Sequence, residues 1–126
     1  MTESLSAGLS EVIGDRSRVL TTPAVVERLS KDFYWYSPVL KRQLASKVGD
    51  IVVQPVSVAE VLAVARYAGL RDVPVTVRGA GTGNYGQCIP LHGGIILDLA
   101  LMDKLEEITS EATEPGRWLV DSFPMR

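Results

Sequence analysis

Ile51-Val52-Val53-Gln54-Pro55-Val56-Ser57-Val58-Ala59-Glu60-Val61-Leu62-Ala63-Val64-Ala65-Arg66-Tyr67-Ala68-Gly69, with Val73-Pro74-Val75-Thr76-Val77 close behind it, is the stretch on which the fold turns. Its first three residues are β-branched and stopped by Pro55, which predicts a short strand buried on both faces. Ser57 and Glu60 stand three apart in the spacing of a capping box, and Val58, Val61, Leu62 and Ala65 make an i, i+3, i+4, i+7 apolar stripe. These signals predict a helix over 57–69 ending near Gly69. Val73 to Val77 reads as a second strand, so residues 51–77 form a β-α-β unit whose crossover is long enough for parallel pairing.

Beyond that second strand runs Arg78-Gly79-Ala80-Gly81-Thr82-Gly83-Asn84-Tyr85-Gly86-Gln87. Glycine enters φ > 0 without steric penalty and has no Cβ to hold a ligand away, so this run can aim consecutive N–H groups into one concavity. Such a concavity suits an anion. Arg78 adds positive charge at the entrance, and Thr82, Asn84 and Gln87 add side-chain donors, which together suit a phosphate or pyrophosphate. Ligands in open α/β sheets sit at the carboxyl ends of the strands, where this loop stands. The competing reading is a glycine-rich surface turn.

Gly81-Thr82-Gly83-Asn84-Tyr85-Gly86 spells the dinucleotide fingerprint G-x-G-x-x-G, but that fingerprint requires a helix directly after it. The next eight residues, Gln87-Cys88-Ile89-Pro90-Leu91-His92-Gly93-Gly94, cannot be a regular helix, and Ile95-Ile96-Leu97-Asp98-Leu99 reads as a strand. A phosphate-binding Gly-Lys-Ser or Gly-Lys-Thr is also missing. Any phosphate would therefore be held by backbone amides between two strands.

Upstream, Leu5, Leu9, Val12 and Ile13 predict a short amphipathic helix ending near Gly14, and Thr22-Pro23 with Val25, Val26 and Leu29 predicts a second. Phe33-Tyr34-Trp35-Tyr36 precedes Ser37-Pro38, so it is extended or turn-like at its end. We read this aromatic cluster as the anchor of a small core rather than a stacking platform.

The chain has 126 residues, 46% of them hydrophobic, with mean hydropathy +0.14, enough for one domain with a real core. Net charge is −2 and the sequence pI about 5.4. The charges are scattered, and without a basic stripe nucleic acid is set aside as a partner. One cysteine, Cys88, and one histidine, His92, supply neither an intrachain disulfide nor a structural zinc site. No segment reads as a targeting peptide or approaches membrane-spanning length, so a cytoplasmic, soluble protein without a membrane span is expected.

In this order, strand, capped helix, strand, glycine loop, Gly-Gly turn and apolar strand resemble the FAD-binding domain of the vanillyl-alcohol oxidase and p-cresol methylhydroxylase (PCMH-type) flavoprotein family, in its glycolate-oxidase-like branch. The resemblance runs from about Val52 to Ile108. It is carried by Val53-x-Pro55-x-Ser57-x-x-Glu60-Val61, by Val77-Arg78-Gly79-x-Gly81-Thr82, and by Gly93-Gly94-x-x-Leu97-Asp98-Leu99-x-x-Met102. It implies an α+β fold, an α/β-like N-terminal subdomain of such a domain, in which a β-α-β unit leads into a pyrophosphate loop and further strands.

The resemblance further implies FAD as cofactor, with Gly79, Ala80, Gly81, Thr82 and Gly83 offering backbone N–H groups to its pyrophosphate. Arg78, Asn84, Tyr85, Gly86 and Gln87 complete the candidate cofactor site. Some family members tether flavin through a histidine in this loop. Here Thr82 fills the tract and His92 lies beyond Pro90, so non-covalent flavin is expected. Cys88 is expected to pack behind the loop.

The expected organisation is an N-terminal helical and aromatic segment over 1–48, then the first half of an FAD-binding domain over 49–126. That half would run on through a strand and a Pro-Gly turn matched by Thr109 to Gly116. Family members add a second FAD-binding half and a substrate domain, so the chain reads as a fragment, a truncated product or a frameshifted end. No residue stands out as a catalytic acid or base, and Trp118, Leu119 and Phe123 are expected to be exposed. Two functions stay open. One is the N-terminal piece of an FAD-linked oxidoreductase acting on a 2-hydroxy acid or alcohol, inactive alone. The other is a non-catalytic binding or interaction module without flavin.

Overall fold

The computed structural model describes the backbone of residues 2–33, 36–114 and 117–124 and the side chains of 2–33 and 36–104. Its elements are α1 (Thr2–Ile13), β1 (Val19–Leu20), α2 (Pro23–Leu29), α3 (Pro38–Leu44), β2 (Ile51–Val53), α4 (Val58–Gly69), β3 (Val75–Arg78), β4 (Ile95–Asp98), β5 (Leu105–Glu114) and β6 (Arg117–Pro124), with single 3₁₀ turns at Arg16–Arg18 and Leu99–Leu101. This is an α+β fold.

Four strands form one mixed sheet in the order β1-β2-β4-β3. β4 runs parallel to both β2 and β3, in the registers Val52↔Ile96 and Val77↔Leu97. β1 joins antiparallel to β2. The β-α-β unit over 51–78 is thus real but split: β2 and β3 do not pair with each other, because β4 lies between them.

Side-chain alphabets explain the order. Ile95, Ile96 and Leu97 are buried whichever way they point, and a strand apolar on both faces needs cover on both faces and neighbours on both edges. β3 alternates Val75, Thr76, Val77, Arg78, and its two valines are 37% and 53% exposed, which suits an edge.

The sheet has a core on each face. Ile51, Val53, Ile95 and Leu97 point to one side, where they pack with Leu9 and Ile13 of α1, Val19, and Val64 and Ala68 of α4. Val52 and Ile96 point to the other, against Val26 of α2 with Leu20, Leu29 and Val48. Residues before Gly49 therefore share both cores with those after it. The β5–β6 hairpin pairs antiparallel, Ser110 opposite Val120.

Helix α4 starts as its spacing predicts: the Ser57 Oγ accepts from the Glu60 N–H at 3.3 Å. The other half of the capping box is shifted, since the Glu60 carboxylate accepts from the Val56 N–H at 2.9 Å and grips the Arg18 guanidinium through both oxygens, at 2.5 and 2.9 Å. That bidentate pair pins α4 to the turn after α1. It also holds the Glu60 carboxyl below its ordinary range, Arg18 being the main cause.

Two expectations change. The buried residues of α4 are Val64 and Ala68, with Val61 half-buried beside them, whereas Val58 and Leu62 of the expected stripe are 39% and 64% exposed. The reason is α1, which draws the Tyr67 side of α4 inward: Tyr67 packs so closely over Gly8 that a Cβ there would overlap its ring. The aromatic cluster does not anchor a core through Phe33, which is 87% exposed, although Tyr36 is half-buried. Tyr34 and Trp35 lie outside the described residues. After Tyr36 the chain enters α3, a helix too short to announce itself by periodicity, with Ser37 as its N-cap accepting from the Leu40 N–H and Pro38 in its first turn.

The expectations on Pro115, Gly116 and the exposure of Trp118, Leu119 and Phe123 fall outside the described residues. Among the described residues no helix is long and apolar enough to cross a membrane, and no group of His, Cys, Asp and Glu could hold a metal ion.

Candidate functional site

The glycine loop leaves the carboxyl end of β3, where Gly79 and Ala80 are exposed, Gly81 is buried, and Thr82, Asn84, Tyr85 and Gln87 face solvent. Gly81 has φ +72° and Gly86 φ +77°, so both occupy the left-handed region, whereas Gly79 and Gly83 do not. The N–H groups of residues 80–84 donate to no protein acceptor among the described residues. In a protein most amides are bonded, so a run of unbonded donors on a glycine frame suits an anion.

Around these free amides the loop is tied down at other points. The Phe33 N–H donates to the Gly81 carbonyl at 2.9 Å, and the Gly86 N–H donates to the Asp32 carboxylate at 3.0 Å. The Tyr36 hydroxyl donates to the other Asp32 oxygen. Burial, helped by that neighbouring carboxylate, pushes the Tyr36 phenol well above its usual range and keeps it a neutral donor. The Tyr85 N–H donates to the Gln87 Oε1 at 3.1 Å, so Gln87 spends its carbonyl within the loop.

Arg78 is half-buried, and its guanidinium turns toward the 29–31 segment. Its Nη1 lies 3.1 Å from the Leu29 carbonyl, 2.5 Å from that of Lys31 and 3.8 Å from Cys88 Sγ. The guanidinium sits directly under Gly81, where a Cβ would overlap it. Cys88 is 8% exposed behind the loop, and burial raises its thiol pKa. Beside them a cleft of about 470 Å³ is lined by Arg28, Leu29, Lys31, Asp32, Phe33 and Arg78.

At the loop's base Asp98, opposite Arg78 in the register, accepts from Gln54 Nε2 at 2.8 Å and from the Ala100 N–H at 3.2 Å. His92 stands apart, in the turn before β4 at the amino end of the parallel strands, next to Asp50 and Arg71 around a different cavity.

Nine of the ten sequence-predicted residues thus form one continuous loop and Arg78 ends β3, but the loop's partners in the 29–36 segment are not legible in the sequence. Two of the groups are main-chain carbonyls and one is a main-chain N–H, for which side-chain identity carries no signal. Asp32 is the one side chain that could have been suspected.

A model of the FAD binding domain family matches residues 49–114, from the end of the N-terminal segment through β5. The chain belongs to this FAD binding domain family. An uncharacterised FAD-linked oxidoreductase of Mycobacterium tuberculosis (strain H37Rv) is 30% identical over 121 residues, which are 93% of this chain and 25% of that protein. The D-lactate dehydrogenase of Archaeoglobus fulgidus is 39% identical over 56 residues, 44% of this chain and 13% of the relative. Among solved structures, alkyldihydroxyacetonephosphate synthase superposes with TM-score 0.58 at 17% identity, over 71% of this chain and 18% of that one, which shows a shared fold.

The chain spans about a quarter of the length of the M. tuberculosis relative. FAD is the cofactor of the domain. The loop fits it: unbonded amides on a glycine backbone at the carboxyl edge of parallel strands suit a pyrophosphate.

Proposed function

We propose that this chain is the FAD-binding portion of an FAD-linked oxidoreductase acting on a 2-hydroxy acid or alcohol, with the flavin held non-covalently and its pyrophosphate bound by the N–H groups of residues 79–83. The observation that carries the reading is the run of amides from Ala80 to Asn84 that no protein acceptor takes up among the described residues. Bound flavin supplies the hydride-accepting chemistry. This chain's part is to orient it. Gly81 keeps the loop turned outward, Thr82 adds a hydroxyl, and Asn84 to Gln87 border the second half. No described side chain near the loop is placed as a catalytic base. Asp32 is committed to Gly86 and Tyr36, and Cys88 is buried.

The substrate class draws support from the D-lactate dehydrogenase relative, whose matched part ends well short of that whole enzyme. The test is an amide-resolved NMR titration with FAD, ADP and inorganic pyrophosphate. The N–H signals of residues 79–83 move with all three, and Gly81→Val abolishes the effect while Thr82→Ser keeps it. If FAD leaves them unmoved, the loop is an ordinary turn. That outcome would favour the interaction-module reading, which the exposed Val58 and Leu62 on α4 and Val75 and Val77 on edge strand β3 support.

A further inference from the structure

Resting on that reading of the loop, we infer that Arg78 is a positioning residue that clamps the loop onto the carboxyl end of α2, and that it does not contact the phosphate itself. An arginine beside a glycine-rich anion loop invites assignment as the phosphate's counter-charge. The geometry points elsewhere.

Nη1 faces the Leu29 carbonyl, the last of α2, and the Lys31 carbonyl just beyond it. The final carbonyls of a helix lack intrahelical donors and carry partial negative charge, so a guanidinium delivered from β3 satisfies both needs at once. Other carbonyls at this end are already served: Ser30 Oγ donates to the Val26 carbonyl at 2.7 Å, and the Ser30 N–H to those of Val26 and Glu27. Arg78 takes up what remains.

The same guanidinium forms the floor under Gly81, where it occupies the space of a side chain. Gly81 meanwhile accepts the Phe33 N–H from the segment that Arg78 grips, and Asp32 of that segment holds Gly86. Three links from residues 29–33 therefore fasten the loop, leaving the amides of 80–84 without an acceptor among the described residues. A flexible glycine run ordered before the ligand arrives loses less conformational entropy on binding. Arg78 raises affinity by that route.

The test uses the full chain and two measurements. In wild type, the Arg78 side-chain nitrogen signals should show hindered rotation without ligand, and FAD should barely move them while it shifts the amides of 79–83. In Arg78→Met, hydrogen exchange at Phe33 and Gly86, whose N–H groups are bonded between the loop and the 32–33 segment, should quicken about tenfold or more, with β2 and β4 unchanged, because a local clamp opens locally. The loss of FAD affinity should be the same factor at about 0.05 and 0.5 M salt, since screening weakens exposed charge contacts and leaves ordering alone.

A large FAD-induced shift of the Arg78 guanidinium overturns the inference, as does native exchange in Arg78→Met with an affinity loss confined to low salt. Should Arg78→Met fail to fold, the wild-type side-chain signals decide. If FAD moves none of the amides of 79–83, the reading of the loop falls, while exchange in the ligand-free chain still decides on the clamp.

Discussion

Replacing Gly81 by alanine probes the loop more sharply than any other single change. Two costs are added. At φ +72° an L-residue is strained, by about 1 kcal/mol when nothing else intervenes. The new Cβ would also overlap the Arg78 guanidinium. That group ends a flexible side chain and can move aside, but only by leaving the Leu29 and Lys31 carbonyls. Hydrogen bonds from a charged donor contribute about 1.5–3 kcal/mol each when well buried. Both bonds here are partly solvated, so together they are discounted to roughly 1–2 kcal/mol.

Gly81→Ala should therefore destabilise by about 2–3 kcal/mol, which lowers a urea midpoint by roughly 1–2 M. Two controls separate the terms. Gly14 has the same φ, +72°, and open space around it, so Gly14→Ala reports conformational strain alone, about 1 kcal/mol. Gly79 has neither positive φ nor a neighbour within 4 Å, so Gly79→Ala should stay within about 0.5 kcal/mol of wild type. In an Arg78→Met background the cost of Gly81→Ala should fall to about that of Gly14→Ala, a coupling of roughly 1–2 kcal/mol. Equal costs for Gly81→Ala and Gly14→Ala, with no coupling to Arg78, would refute the packing of the guanidinium beneath the loop.

Acid should weaken the fold partly through Glu60. Its folded-state pKa is depressed by Arg18, so its contribution is fully present above the unfolded value of about 4.3 and is lost as pH falls below that, through the folded value. Urea titrations from neutral pH to about pH 3 should show a steeper acid-side loss in wild type than in Glu60→Gln, and identical slopes would remove Glu60 from the account. In the core, Ile96 is fully buried on the face shared with Val26 and Val52, and Ile96→Ala should cost about 2–5 kcal/mol by equilibrium unfolding. A cost below about 1 kcal/mol would mean the second face of the sheet is loosely packed.

What the sequence determined by itself was everything written in local chemistry. The Ser57 cap, the start of α4, the β-branched runs at 51–53 and 95–97 and the glycine loop depend on neighbours a few residues apart, and those spacings are printed in the chain.

Tertiary structure alone decided what each element meets. That β4 enters between β2 and β3 reflects competition among similar apolar strands for the most buried place, won by Ile95-Ile96-Leu97 because both its faces are greasy. That α4 buries Val64 and Ala68 rather than Leu62 depends on α1 crowding against Tyr67. Arg78 shows the divide most clearly. Its charge and its place before the glycines are visible in the chain, but its destination is two backbone carbonyls some 47 and 49 residues away. Main-chain groups are the same at every position, so only folding, which brings the end of α2 beneath the loop, can say which of them a guanidinium will find.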